Sequence, residues 1–298
     1  MKENIDMKER LARAQLFAAI EGGSPYWSAQ IIEFGALEVR DRLVNGGYSE
    51  TKSSAKNIAS RISSISGDQI LEEIEVAGAF FLSPSDLDWP TSLTDLAAPP
   101  IALLIKGERE RLSSLINSIS IVGTRNPTQY GVRVAGDFGA GAADYEWAVV
   151  SGGAVGIDAA AHRGSLIGEG VTAAILGGGF NKSYPGSHEK LFSQICEEGL
   201  LISEVMPDVP AIPHRFLTRN RLIAALSKAT IVVEAAFRSG SLRTARDAAE
   251  IFRPVMAVPG PINSPTSEGC HRLIVERVGE LVTSISEVIE LVKPIDIK

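Results

Sequence analysis

The sequence predicts an α/β protein: a doubly wound, mostly parallel sheet behind a small N-terminal helical domain. Two observations carry this. From about residue 101 onward, short, nearly continuous apolar runs alternate with amphipathic stretches. That is the pattern of strands covered by helices on both faces of a sheet. Over residues 8–80 long β-branched runs are missing, and apolar residues recur at helical spacing instead.

The helical part comes first. Leu11, Ala14 and Ala18, then Ile31, Phe34 and Leu37, mark helix faces, and turn clusters at Glu21–Pro25 and Asn45–Gly47 divide them into several short helices. This domain is placed at residues 1–85. The proline-bearing stretch 86–100 reads as a linker at the start of the second domain, 86–298. There, strands are expected at Ile101–Ile105, Ser118–Val122, Ala148–Ser151, Thr172–Leu176, Leu200–Glu204, Thr230–Glu234 and Val255–Val258. Helices are expected at Val132–Tyr145, Ile157–Ile167, His188–Glu198, Phe216–Ser227 and Leu242–Phe252. Right-handed crossovers between parallel strands then give a doubly wound sheet.

Composition narrows the class. With 45% hydrophobic and 22% charged residues in a 298-residue chain, a core forms without metal or disulfide staples. Cys196 and Cys270 lack CxxC spacing, so neither a zinc site nor a disulfide framework is expected; two lone thiols fit a reducing cytoplasm. The charged start MKENIDMKER has no apolar region of a signal peptide, and no apolar run nears the ~20 residues of a membrane span. The expected location is cytoplasmic, without membrane contact. The net charge is -7, unevenly spread: residues 1–110 hold 11 Lys and Arg against 17 Asp and Glu, whereas 212–253 hold 8 against 3. An acidic chain can still present one basic groove to an anionic partner.

Four strand ends run into glycine-bearing loops: Gly123-Thr124-Arg125-Asn126-Pro127, Ser151-Gly152-Gly153-Ala154-Val155-Gly156-Ile157-Asp158, Gly177-Gly178-Gly179 and Arg238-Ser239-Gly240-Ser241. Open parallel sheets bind ligands beyond the carboxyl ends of their strands. Amides at a helix start favour an anion, and glycine lets the backbone approach it. One such loop only turns the chain; four, two with arginine beside them, predict a phosphate-binding crevice. The loops match neither the P-loop nor the dinucleotide fingerprint. His162, His188, His214 and His271 are scattered, and no G-x-S-x-G elbow is present, so hydrolytic chemistry has little support and no metal or cofactor is expected. Asp158 is a candidate catalytic carboxylate, or else it caps the next helix or fixes the loop through backbone bonds. Arg219, Asn220 and Arg221 fall at an expected helix start, where guanidinium charge adds to the helix terminus in holding phosphate. The other reading makes them solvated surface residues. Aromatic residues are 6% of the chain with none clustered near the loops, so extensive base stacking is not expected.

Taken in order, these motifs resemble the DprA/Smf family of DNA-processing proteins. The series is Ile121–Pro127, Ser151–His162, Leu176–Gly179 with Tyr184-Pro185, Ser203-Glu204, Phe216 with Arg219–Ala224, Val233–Ala235, Arg238–Leu242 with Thr244–Arg246, and Ala257–Gly260. The resemblance implies an extended Rossmann-like fold behind a SAM-like helical domain. It also implies non-catalytic binding of single-stranded DNA, a homodimer, and loading of a RecA-type recombinase during DNA uptake and recombination. Carried over by motif, Arg125 contacts phosphate, and Ser151, Gly152, Gly153, Gly156, Gly177 and Gly178 shape the pocket. Arg219, Asn220, Arg221, Ser239, Gly240 and Ser241 extend or brace it, and Lys182 adds charge. Three departures stand out. Val155 replaces a usual arginine, His271 stands where asparagine is common, and the chain ends at Lys298 without room for the winged helix many members carry. A competing reading is a nucleotide-binding or nucleotide-hydrolysing protein of the LOG-like group; the stretch Phe237–Thr244 lacks that group's double glycine and spaced glutamate. In a third, the acidic helical domain is itself the interaction surface.

Overall fold

The computed structural model describes residues 2–48 and 52–293. The chain divides into two compact units. The first comprises 1–106 with the short segments 178–182 and 202–211; the second comprises 107–177, 183–201 and 212–298.

The first unit carries α1 (Lys2–Ala19), α2 (Pro25–Phe34), α3 (Ala36–Val44), α4 (Lys52–Ser64) and α5 (Gly67–Val76). Leu11, Ala14 and Ala18 lie on α1, the longest, and α2 to α5 are short helices as expected for this stretch. The remaining helices start at local signals. The Ser24 hydroxyl caps α2 ahead of Pro25, and Ser66 with Gln69 forms a capping box on α5. Leu16, Phe17, Trp27, Ile70 and Phe81 share the core. The short strand β1 (Phe80–Leu82) pairs antiparallel with β2 (Leu103–Gly107), Phe81 facing Leu104. β2 therefore begins at Leu103, opposite Leu82, rather than at Ile101. The stretch 86–100 is not a solvated linker: Trp89, Leu93, Leu96 and Ala98 are buried, and the Ser28 hydroxyl donates to the Pro99 carbonyl at 2.8 Å.

In the second unit, β3 (Ser118–Val122), β4 (Ala148–Ser151) and β5 (Thr172–Leu176) fall where the sequence placed them, as does α7 (Ile157–Ile167). The strand β6 (Leu200–Ser203) follows α8 (Glu189–Glu198). β7 (Ala229–Val232) and β8 (Val255–Ala257) end one or two residues early. The parallel order within this unit is β5-β4-β3-β7-β8-β9, where β9 is Glu280–Leu281. The remaining helices are α6 (Gln129–Asp144), α9 (Pro213–Ala225), α10 (Ser241–Glu250), α11 (Glu268–Val275) and α12 (Ile285–Val292). α6 starts at Gln129 because the Thr128 hydroxyl accepts the Gly131 N–H at 3.2 Å. α9 starts at Pro213, whose fixed φ suits a first helical turn. Ile119, Ile121, Val149, Ile157 and Ile231 form the core; each stabilises by about 1.5–3 kcal/mol. Helices α6 and α7 approach so closely that a Cβ on Gly139 would strike the Ala161 carbonyl, and one on Gly164 the Gly136 carbonyl.

Strand β3 is the point of departure. From it the chain adds β4 and β5 on one side and later β7, β8 and β9 on the other, so the loops after β3 and β7 part at their carboxyl ends. No helix among the described residues is long and apolar enough to cross a membrane.

Candidate functional site

The loop after β3 is tied down at both ends and open at its tip. The Thr124 N–H donates to the Glu234 carbonyl at 2.7 Å, and the Thr128 N–H and hydroxyl donate to the Glu234 carboxylate at 2.8 and 2.7 Å. The Thr266 hydroxyl adds a further bond at 3.1 Å. Glu234 is buried, so these donors replace its water. Between the anchors, Arg125 is exposed.

The loop after β4 lies against the first. Gly156 has φ +90, and a Cβ there would strike the Thr124 carbonyl. The Asp158 carboxylate accepts the N–H groups of Gly152 at 3.1 Å and Ala154 at 3.4 Å, and the Gly123 backbone also bonds to it. Arg219 enters from α9, and its Nη2 donates to the Gly152 carbonyl at 2.9 Å. Asp158 and Arg219 are each 6% exposed. Burial pushes the Asp158 carboxyl up, opposed by the Arg219 charge and the loop amides. Burial likewise pushes the Arg219 guanidinium down to about 10, against the pull of Asp158, so it stays charged at neutral pH. Asp158 thus fixes the loop from within.

Aromatic rings complete the arrangement. Phe216, one turn before Arg219 on α9, has the Arg125 guanidinium 5.1 Å and the Arg219 guanidinium 6.0 Å from its ring centroid. The Tyr184 ring lies 5.2 Å from that of Phe216, and Tyr184 is 51% exposed. The expectation that no aromatics gather near the loops is therefore corrected. Arg125, Gly152, Ala154, Val155, Tyr184, Pro185 and Phe216 line a recess of about 40 Å³, in which Arg125 is the charged residue.

Of the residues singled out from sequence, the recess brings together Arg125 and Gly152. Several others support it from behind. The Ser151 hydroxyl is buried and donates to the Ile121 carbonyl at 2.6 Å, so it faces the sheet rather than a ligand. The Gly153 carbonyl accepts from His188 Nδ1 at 3.0 Å. Gly177 backs directly onto the Phe216 ring. Arg219 is neither at a helix start nor solvated: α9 begins six residues earlier, and the guanidinium points inward. A second cluster forms at the loop after β7. The Asn220 amide donates to the Gly240 carbonyl at 3.3 Å, the hydroxyls of Ser239 and Ser241 lie 2.7 Å apart, and the Arg221 charge acts on Asp247. Gly178 and Lys182 belong to the first unit, where Gly178 accepts the Ser203 hydroxyl at 3.0 Å and Lys182 is exposed. Tyr184 and Phe216 were not among the expected contacts.

The profile of the family described as DNA recombination-mediator protein A matches residues 80–293. The chain belongs to this family. A DNA processing protein of the DprA type from Mycobacterium tuberculosis is 39% identical over 269 residues, covering 87% of this chain and 68% of that one. The X-ray structure of DNA processing protein A from Streptococcus pneumoniae superposes with a TM-score of 0.80 at 31% identity, over 94% of this chain and 96% of that one. DNA processing protein A from Helicobacter pylori, whose structure is described as showing a single-stranded DNA binding mode, gives a TM-score of 0.63 at 28% identity over 71% and 94%. The recombination-mediator match opens at Phe80, the first residue of β1, and takes in every residue lining the recess. Helices α1 to α5 lie outside it.

Proposed function

We propose that this family member binds single-stranded DNA, without catalysis, at the mouth of the Arg125–Tyr184–Phe216 recess. It acts in the cytoplasm as a homodimer that passes the strand to a RecA-type recombinase during DNA uptake and recombination. The observation carrying the DNA reading is one exposed guanidinium set beside two adjoining aromatic rings. Arg125 takes a backbone phosphate, and Tyr184 and Phe216 offer ring faces to bases. Duplex DNA keeps its base faces stacked, whereas a single strand can lay them on aromatic side chains. The H. pylori relative's single-strand binding mode supports the same assignment. Asn220, Arg221, Ser239, Gly240 and Ser241 continue the path of the strand. The non-catalytic reading rests on Asp158, whose carboxylate is buried and engaged with loop amides.

The test is fluorescence anisotropy with matched single- and double-stranded oligonucleotides across a salt series, for wild type and Arg125→Ala. Single-strand preference is expected, with a log–log salt slope that falls by about 0.7 when Arg125 is lost. Equal affinity for duplex, or no binding at low salt, overturns the reading.

A further inference from the structure

We infer that Asp158 is a specificity-determining residue: its carboxylate occupies the anion nest of the β4 loop, so the site rejects free nucleotides and terminal phosphate monoesters. The inference rests on the single-strand reading above and names what that site excludes.

The nest is built as a phosphate site would be. Backbone amides of Gly152 and Ala154 converge at the start of α7, the Gly123 backbone joins them, and the Arg219 charge stands beside them. Such convergence is how open α/β sheets hold a nucleotide's phosphate. Here the anion is part of the chain. An entering phosphate would meet the Asp158 carboxylate at contact distance, and two like charges cannot share one set of donors. The crevice between β3 and β7, the other place a phosphate would sit, is filled in the same way by Glu234, which takes the Thr128 N–H at 2.8 Å.

Space and charge agree. The recess holds about 40 Å³, and a phosphate in the nest beside it would have to displace the Asp158 carboxylate. At the mouth, Arg125 brings a single positive charge, which one internal phosphodiester neutralises. A terminal monoester carries about −1.5 to −2 at neutral pH and has no second cation lining the recess to meet it.

The experiment uses labelled dT20 without a 5′ phosphate, displaced by thymidine 5′-monophosphate, by inorganic phosphate, or by chloride at matched ionic strength. Direct calorimetric titrations of the monophosphate into wild type, Asp158→Ala and Asp158→Ser accompany it. In wild type, neither phosphate compound should displace the probe better than chloride. In Asp158→Ala, affinity for the monophosphate should rise at least tenfold, because the amides and Arg219 are released to a ligand. A merely structural role for Asp158 gives no such gain. Asp158→Ser is shorter than aspartate and uncharged, so it also vacates the nest, and it serves if the alanine variant does not fold. Specific displacement by the monophosphate in wild type overturns the inference, as does a folded variant without gained affinity. If wild type fails to bind dT20, the single-strand reading falls while the calorimetric arms still decide the role of Asp158.

Discussion

Arg219 and Gly152 require each other: Arg219 Nη2 donates to the Gly152 carbonyl at 2.9 Å, and a Cβ on residue 152 would overlap the guanidinium. The same guanidinium is the countercharge of buried Asp158. Arg219→Ala removes that charge and leaves the buried Gly152 carbonyl without its bond, and an unpaired buried acceptor costs about 1–3 kcal/mol. Urea unfolding of the variant should show a loss of that order. A loss below about 1 kcal/mol would mean that Arg219 is not part of the support.

Phe216 tests the ring surface separately from charge. Phe216→Ala should weaken single-strand binding by about 1–3 kcal/mol, the worth of one base stacked on an aromatic ring. The salt slope should stay at the wild-type value, since no phosphate contact is removed. A change in slope without a loss of affinity at fixed salt would assign Phe216 to holding Arg125 rather than to stacking.

How legible all this was depends on the range of the interaction. Strands β3, β4 and β5 are buried on both faces, so they read as apolar runs, and local glycines bound them. β1 and β9 span three and two residues and exist only through their partners, so no periodicity announces them. The Arg125 loop was legible from its own residues. The inward turn of Arg219 was signalled by its neighbours: Phe216 and Ile223, three before and four after, place it on an apolar face of α9. Tyr184 and Phe216 are remote in sequence and meet only because the loop ahead of α8 and the first turns of α9 converge. No local pattern contains that meeting.

His162 makes the fold acid-sensitive. It is fully buried, and its Nδ1 lies 2.7 Å from the Thr172 hydroxyl oxygen. That hydroxyl donates to the Val149 carbonyl at 2.8 Å, so Nδ1 must carry the proton and Nε2 is a bare lone pair. Burial, with the charge of Arg219, lowers the imidazole from its ordinary 6.5 to about 3. The native state therefore keeps His162 neutral while the unfolded chain protonates below 6.5. Stability from this group is fully present above 6.5 and falls as pH drops towards 3, by about 1.4 kcal/mol per unit. Between pH 7.5 and 5, wild type should lose about 2 kcal/mol more than His162→Gln in urea unfolding. Parallel profiles for the two proteins would sink the assignment.

Val155 offers a gain of function. It lines the recess and is 37% exposed. Arg125 therefore works without a second cation on the recess wall. Val155→Arg places a guanidinium at the same mouth, and neutralising one more phosphate steepens the single-strand salt slope by about 0.7. Affinity should rise most at low salt and converge with wild type as salt increases, because the added gain is counterion release. The variant should leave thermal stability nearly unchanged, since residue 155 is at the surface. An unaltered slope in a folded Val155→Arg protein would show that the DNA backbone does not pass this recess, and the phosphate path would then have to be sought along Asn220 and Ser239–Ser241.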